Sequence, residues 1–256
     1  MVALAGDDGK TIEAYLKSPM LHLAKSDYCL EREWIAARLA QDLLLPCAAL
    51  VPVEVTPQLV KMASAIPCAP GDVTLEQQLQ NGPDLLVGSV SLGSGWSEWS
   101  QAVPVTEAQL DTASAIYFFD TMIQNVDRVI PNPNLLIKND TYGMIDHEES
   151  FVEAAGSDME RDATPKPWEE GGVTNDVGEY DEHPLWQGIK KYNDIPFEGI
   201  VDRWKSLPEA TIRGYAEDPV FDYWCRDVAR KISDYLLEAV ENIDAIHMQI
   251  EANRCR

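Results

Sequence analysis

The chain has 256 residues, 45% of them hydrophobic, which is enough for one large domain or two lobes with cores of their own. Its 20 Lys and Arg against 43 Asp and Glu leave a formal net charge of −23, which argues against direct contact with nucleic-acid phosphates or an anionic membrane surface. Cys29, Cys47, Cys68, Cys225 and Cys255 are scattered without C-x-x-C spacing, and no leader or membrane-length apolar run is seen; free thiols in a reducing, cytoplasmic setting are expected, not a disulfide frame or a zinc site.

Residues 1–9 are small and polar. Thr11 to Lys17 reads as a short strand. Ser26-Asp27 offers an N-cap for a helix from Tyr28 to Leu44, with Leu30, Trp34, Ile35, Leu39 and Leu43 at helical spacing and Pro46 as the stop. Leu50 to Val55 is β-branched and alternating. Leu75 to Leu79 is a helical turn, and Leu85 to Leu92 is a buried strand that leads into the loose Gly93-Ser94-Gly95. Thr106 with Gln109 forms a capping box that opens a helix through Gln124, apolar on more than one side and therefore a core element. The segment from Ser157 to Pro184 is acidic, with glycines, prolines and no period; a long surface segment, mobile or draped over the larger lobe, is expected. Residues 196–206 and 208–216 read as short helices. A long helix starts at Asp218-Pro219, and its stripe of Phe221, Trp224, Val228, Ile232, Tyr235, Ala239, Ile243, Ile246 and Ile250 faces the core or a partner.

The chemistry concentrates between Asp127 and Asp146. Asp127 and Asn132 have the D-x-x-x-x-N spacing of a kinase catalytic loop. Leu135 to Lys138, a turn at Asn139-Asp140, and Tyr142 to Ile145 form a hairpin that delivers Asp146 back towards Asn132, fourteen positions away in sequence. Phosphoryl transfer needs an acceptor hydroxyl held in line and Mg²⁺ held on the phosphates. Asp127 is the candidate base. Asn132 and Asp146 are candidate ligands for Mg²⁺, a hard cation that prefers oxygen. A strand lysine held by a helix glutamate would reach the phosphates; the candidates are Lys17, with Lys25 as rival, and Glu33.

The pattern of Asn125-Val126-Asp127-Arg128, Asn132-Pro133-Asn134 and Ile145-Asp146-His147, together with the helix at Glu33 and Trp34, resembles the HipA-like kinases, a group related to phosphatidylinositol-kinase-like folds. The likeness covers about residues 30–47 and 106–151. It implies an α+β bilobal fold: a small β-rich lobe over residues 1–90 and a helical lobe over 91–256. It also implies ATP and Mg²⁺ as cofactors, with Asp127 as base, Asn132 and Asp146 on the metal, and Lys17 on the phosphates. The acceptor it implies is Ser or Thr of a protein. A G-x-G-x-x-G loop is absent, and Val129 stands where related sequences often have His. Two other readings stay open: a catalytically inactive, acidic module that binds a partner, and a kinase of a small-molecule or lipid hydroxyl.

Overall fold

Strands β1 (Val2–Ala5) and β2 (Thr11–Lys17) form an antiparallel hairpin. They belong to a computed structural model that describes residues 2–6, 9–18, 28–68, 73–155, 165–173 and 183–254. β3 (Leu50–Glu54) and β4 (Leu85–Val90) complete a four-stranded antiparallel sheet in the order β1-β2-β4-β3. Lys17, the last residue of β2, lies opposite Val87 of β4. The start of the sequence, read as small and polar, thus supplies a strand: Val2 to Ala5 are apolar and pair with Ala14 to Thr11.

Helix α1 (Cys29–Asp42) is buried at every position from Cys29 to Ala37, including Glu31, Arg32 and Glu33. It is a core helix more than an amphipathic one. Its N-cap is Tyr28, which makes no side-chain cap bond; the expected Ser26-Asp27 cap and the rival Lys25 lie outside the described residues. Two short helices follow, α2 (Pro57–Ala63) and α3 (Leu75–Asn81). Thr56 and Thr74 cap them by accepting the N–H of Leu59 and Gln77.

A second antiparallel sheet joins β5 (Ser97–Glu98), β6 (Leu135–Lys138) and β7 (Thr141–Met144) in the order β5-β6-β7. Between β5 and β6 runs α4 (Glu107–Met122), in which Phe118, Phe119 and Met122 are fully buried. Thr106 and Gln109 form the expected capping box, in which Gln109 accepts the backbone N–H of Thr106 at 3.0 Å.

Past β7 come α5 (Val152–Ala155), α6 (Trp186–Ile189), α7 (Glu198–Lys205) and α8 (Glu209–Tyr215). The single long helix expected after Pro219 is instead three pieces: a 3₁₀ turn at Pro219–Asp222, α9 (Arg226–Glu241) and α10 (Ile243–Arg254). Two residues interrupt it. Cys225 is extended (φ −108°, ψ 93°), and its N–H is taken by Glu31 of α1 at 2.6 Å. Asn242 leaves the helical basin (φ −105°, ψ 11°) while its side chain bonds the Glu238 carbonyl. The apolar stripe survives the breaks: Val228, Ile232, Tyr235, Ile243, Ile246 and Ile250 are all buried.

Helix α1 is tied to this C-terminal region by polar side chains as well. Trp34 Nε1 donates to Asp218 at 3.1 Å, and the Tyr215 hydroxyl donates to Asp42 at 2.6 Å. Of the segment expected on the surface, residues 165–173 are described and lie against the helices. Lys166 pairs with Glu238 at 2.7 Å, and Trp168 packs on the Tyr235 ring. His183, at the end of that segment, departs from the expectation: it is fully buried. No helix among the described residues is long and apolar enough to cross a membrane.

Candidate active site

The site begins where α4 ends. Gln124 takes a left-handed turn (φ 50°), and the Asn125 N–H returns to the Asp120 carbonyl at 2.9 Å. That reversal starts the loop carrying Asp127. Within it, Val129 and Asn132 exchange backbone bonds of 3.0 and 3.2 Å, which closes a tight turn. Asn132 and Asn134 then both donate their side-chain amides to Asp127 Oδ2, at 2.7 and 2.8 Å. One oxygen of Asp127 is thereby held by two amides, and the other accepts no hydrogen bond among the described residues.

The hairpin closes on this loop. The Ile145 N–H donates to the Asn134 carbonyl at 3.1 Å. The residue bonded across is Asn134, two positions beyond the Asn132 singled out by spacing. Asp146 follows in a left-handed conformation (φ 58°), which turns its carboxylate away from the line of the strand.

Lys17 reaches this carboxylate from the first sheet. Its Nζ lies 2.5 Å from Asp146 Oδ2 and 3.6 Å from Glu148. Burial works against the ammonium, but Glu33, Asp146 and Glu148 together hold its pKa above the ordinary lysine value. Glu33 projects from α1 and accepts the backbone N–H of His147. Its full burial pushes its carboxyl up to about 7 despite the pull of Lys17, with Asp146 adding to the rise. Lys17, Glu33 and Asp146 are therefore gathered in one cluster, with Lys17 in direct contact with Asp146. Among the described residues, Glu33, Asp146 and Glu148 all act on the Lys17 ammonium.

Asp146 also gives a test of fit for a metal ion. Its Oδ1 is buried and accepts no hydrogen bond among the described contacts. A buried carboxylate oxygen without a donor is costly, on the order of 1–3 kcal/mol or more, and a cation removes that cost. No group of three or more His, Cys, Asp and Glu that could hold a metal occurs among the described residues. The one observation that fits Mg²⁺ is therefore this Asp146 oxygen, since Mg²⁺ takes one or two protein oxygens and completes its shell with water and phosphate.

Behind the loop lies a buried polar network that spacing did not reveal. Asp120, in the last turn of α4, accepts from Arg128 Nε at 2.7 Å, Asn125 Nδ2 at 2.9 Å and His183 Nε2 at 3.2 Å. Burial alone would raise the Asp120 carboxyl, yet Arg128 and His183 hold it below its ordinary value. His183 is drawn inside by this carboxylate and by the Leu185 N–H, which bonds its Nδ1 at 3.2 Å. His147 is buried beside Arg128, and burial with that neighbouring charge depresses its imidazole to about 3. The neutral ring accepts from Arg128 Nη2 through Nε2 at 3.0 Å.

A family model described as HipA-like kinase matches residues 23–164, more than half of the chain. The chain belongs to the HipA-like kinase family. No curated protein matches the chain. The matched span takes in α1 with Glu33, α4, the loop of Asp127 and the hairpin ending at Asp146, whereas Lys17 lies ahead of it. Membership makes this HipA-like protein a kinase-type phosphotransferase, and its antiparallel sheets and helices agree with the expected α+β kinase-like fold. Sequence reasoning missed Asn134, Asp120 and His183, and gave Arg128 no role. The repeated Asn132-Pro133-Asn134 was a usable signal for the first; nothing local marked the other two.

Proposed function

We propose that this HipA-like kinase transfers the γ-phosphoryl group of ATP, in the presence of Mg²⁺, to a hydroxyl of a protein Ser or Thr. The observation that carries the reading is the pairing of two prepared carboxylates. Asp127 is oriented by two asparagine amides, and Asp146 keeps a buried oxygen without a donor among the described residues.

In this reading Asp127 binds the acceptor hydroxyl through its unengaged oxygen, aligns it and accepts its proton. Asn132 and Asp146 would hold Mg²⁺, which when bound offsets the negative charge of the phosphates. Lys17 would leave Asp146 to bind phosphate oxygens, while Glu33 keeps a negative charge behind it. The formal net charge of −23 supports a site that accepts nucleotide only together with cations. The dedicated hydrogen bonding of Asp127 favours phosphotransfer over a partner-binding module without catalysis, since such a module has no use for an oriented carboxylate.

The reading is tested by incubating the protein with Mg²⁺ and γ-labelled ATP against a degenerate panel of Ser- and Thr-containing peptides. Label on Ser or Thr, lost in Asp127→Ala, is expected. Label only on a small molecule or a lipid supplied in parallel would move the acceptor to that class. Failure to bind Mg²⁺ and ATP at all would remove the kinase reading of the site.

A further inference from the structure

We propose that Arg128, anchored by Asp120, is the positioning residue that sets the placement of Asp127 relative to Asp146. The inference rests on the reading of those two carboxylates given above.

The guanidinium is fully buried and spends its donors in several directions. Nε holds Asp120 of α4. Nη1 points to the carbonyl of Asn134, whose side chain grips Asp127, and to the carbonyl of Ile145 at 3.4 Å, the residue before Asp146. Nη2 donates to His147, the residue after Asp146. One planar cation therefore touches the backbone that carries the base and both neighbours of the metal carboxylate.

The geometry explains why an arginine is needed. Asn134 and Asp146 both have left-handed backbones (φ 45° and 58°), a conformation that Asn and Asp accept more readily than most residues and that turns the chain sharply at both points. The Arg128 fork bonds beside each of them. A lysine carries one compact ammonium and has no planar fork to span these acceptors. Asp120 supplies the fixed end: it sits on a core helix, and through Asn125, whose side-chain oxygen accepts the Asp127 N–H at 3.4 Å, it reaches the base by a second route. His183 completes the Asp120 carboxylate from the far side of the chain.

The test compares the intact protein with Arg128→Lys and, as a milder second variant, Asp120→Asn, which keeps the shape of the anchor and removes its charge. Hydrogen exchange is measured first, on metal-free protein, so that this readout does not depend on any nucleotide. In both variants residues 127–134 and 144–148 are expected to lose protection together, while α9 and α10 keep theirs. Steady-state kinetics come second, with kcat expected to fall by about a hundredfold, as for a misplacement of about 1 Å, and KM for ATP to change far less. Deprotection spread evenly over the protein would reduce Arg128 to a general stability element. Deprotection of only one of the two segments would overturn the coupling. Unchanged exchange and kcat in Arg128→Lys would overturn the proposal outright. Absence of phosphotransfer in the parent protein, with coupled deprotection intact, would instead count against the proposed function.

Discussion

Replacing Glu33 with Gln should stabilise the protein and at the same time impair its nucleotide site. Glu33 is fully buried with Asp146 and Glu148 nearby, and burial outweighs the opposing effects of Lys17 and the His147 N–H; its carboxyl stands at about 7 instead of its ordinary 4.5. An acid with a raised folded pKa keeps its proton longer in the native state than in the unfolded one. Its contribution to stability therefore falls as pH rises from about 4.5 to about 7 and is constant above. A displacement of about 2.5 pH units at about 1.36 kcal/mol each amounts to about 3 kcal/mol at pH 8.5. Gln is the uncharged counterpart and its side-chain oxygen can still accept the His147 N–H. Glu33→Gln should gain about 3 kcal/mol at pH 8.5 and less than about 1 kcal/mol at pH 5. For a chain of this size the former corresponds to roughly 6–12 °C in Tm. The assay is thermal unfolding in EDTA without nucleotide, at both pH values. The same variant should bind Mg²⁺ and ATP more weakly, because Lys17 loses a charge that holds it. Equal destabilisation at pH 5 and pH 8.5 would refute the reasoning, since it would mean that Glu33 is ionised and paired throughout.

Asp127→Ala should lower phosphotransfer by at least about a hundredfold while leaving ATP affinity, measured by calorimetry, within a factor of about three of the parent. Gly143→Ala should be destabilised by about 1–3 kcal/mol, because a Cβ there would lie 2.5 Å from Leu92 Cδ1 and 3.1 Å from Trp96 Cζ3. Urea unfolding measures it, and an unchanged midpoint would show that β7 and the chain after β4 are not in close contact.

The parts of the site that could be read from sequence are those in which chemistry and local structure coincide. The hairpin at 135–146 announces itself by two short apolar runs around Asn139-Asp140, and it forms with Leu135 opposite Met144. Asp127 and Asn132 stand out because their spacing within one loop is set by a local turn. Lys17 is read as the end of a short strand from Thr11, although the alternation is not strict, and β2 ends there. Helix α4 is legible because its apolar residues surround it. Long-range pairing was not legible. His183 is 63 positions from the Asp120 it bonds, and its acidic, period-free surroundings gave no hint of a buried partner. The helix expected from Pro219 starts only at Arg226, after Cys225, whose N–H is taken by Glu31, 194 positions away. Asn134 was hidden by a rule that fixed on one asparagine of two. These are tertiary decisions, in which a buried charge or an unpaired N–H overrides the local pattern.

The most direct test of the account is the melting temperature of the purified protein with ATP, with and without Mg²⁺, beside Asp146→Asn. Asparagine tolerates the left-handed backbone at that position, so the variant removes the charge and not the turn. A ligand that binds only the native state raises Tm by mass action. The account predicts a rise with ATP that requires Mg²⁺ and is lost or strongly reduced in Asp146→Asn. An equal rise in both proteins, or none in the parent, would contradict it.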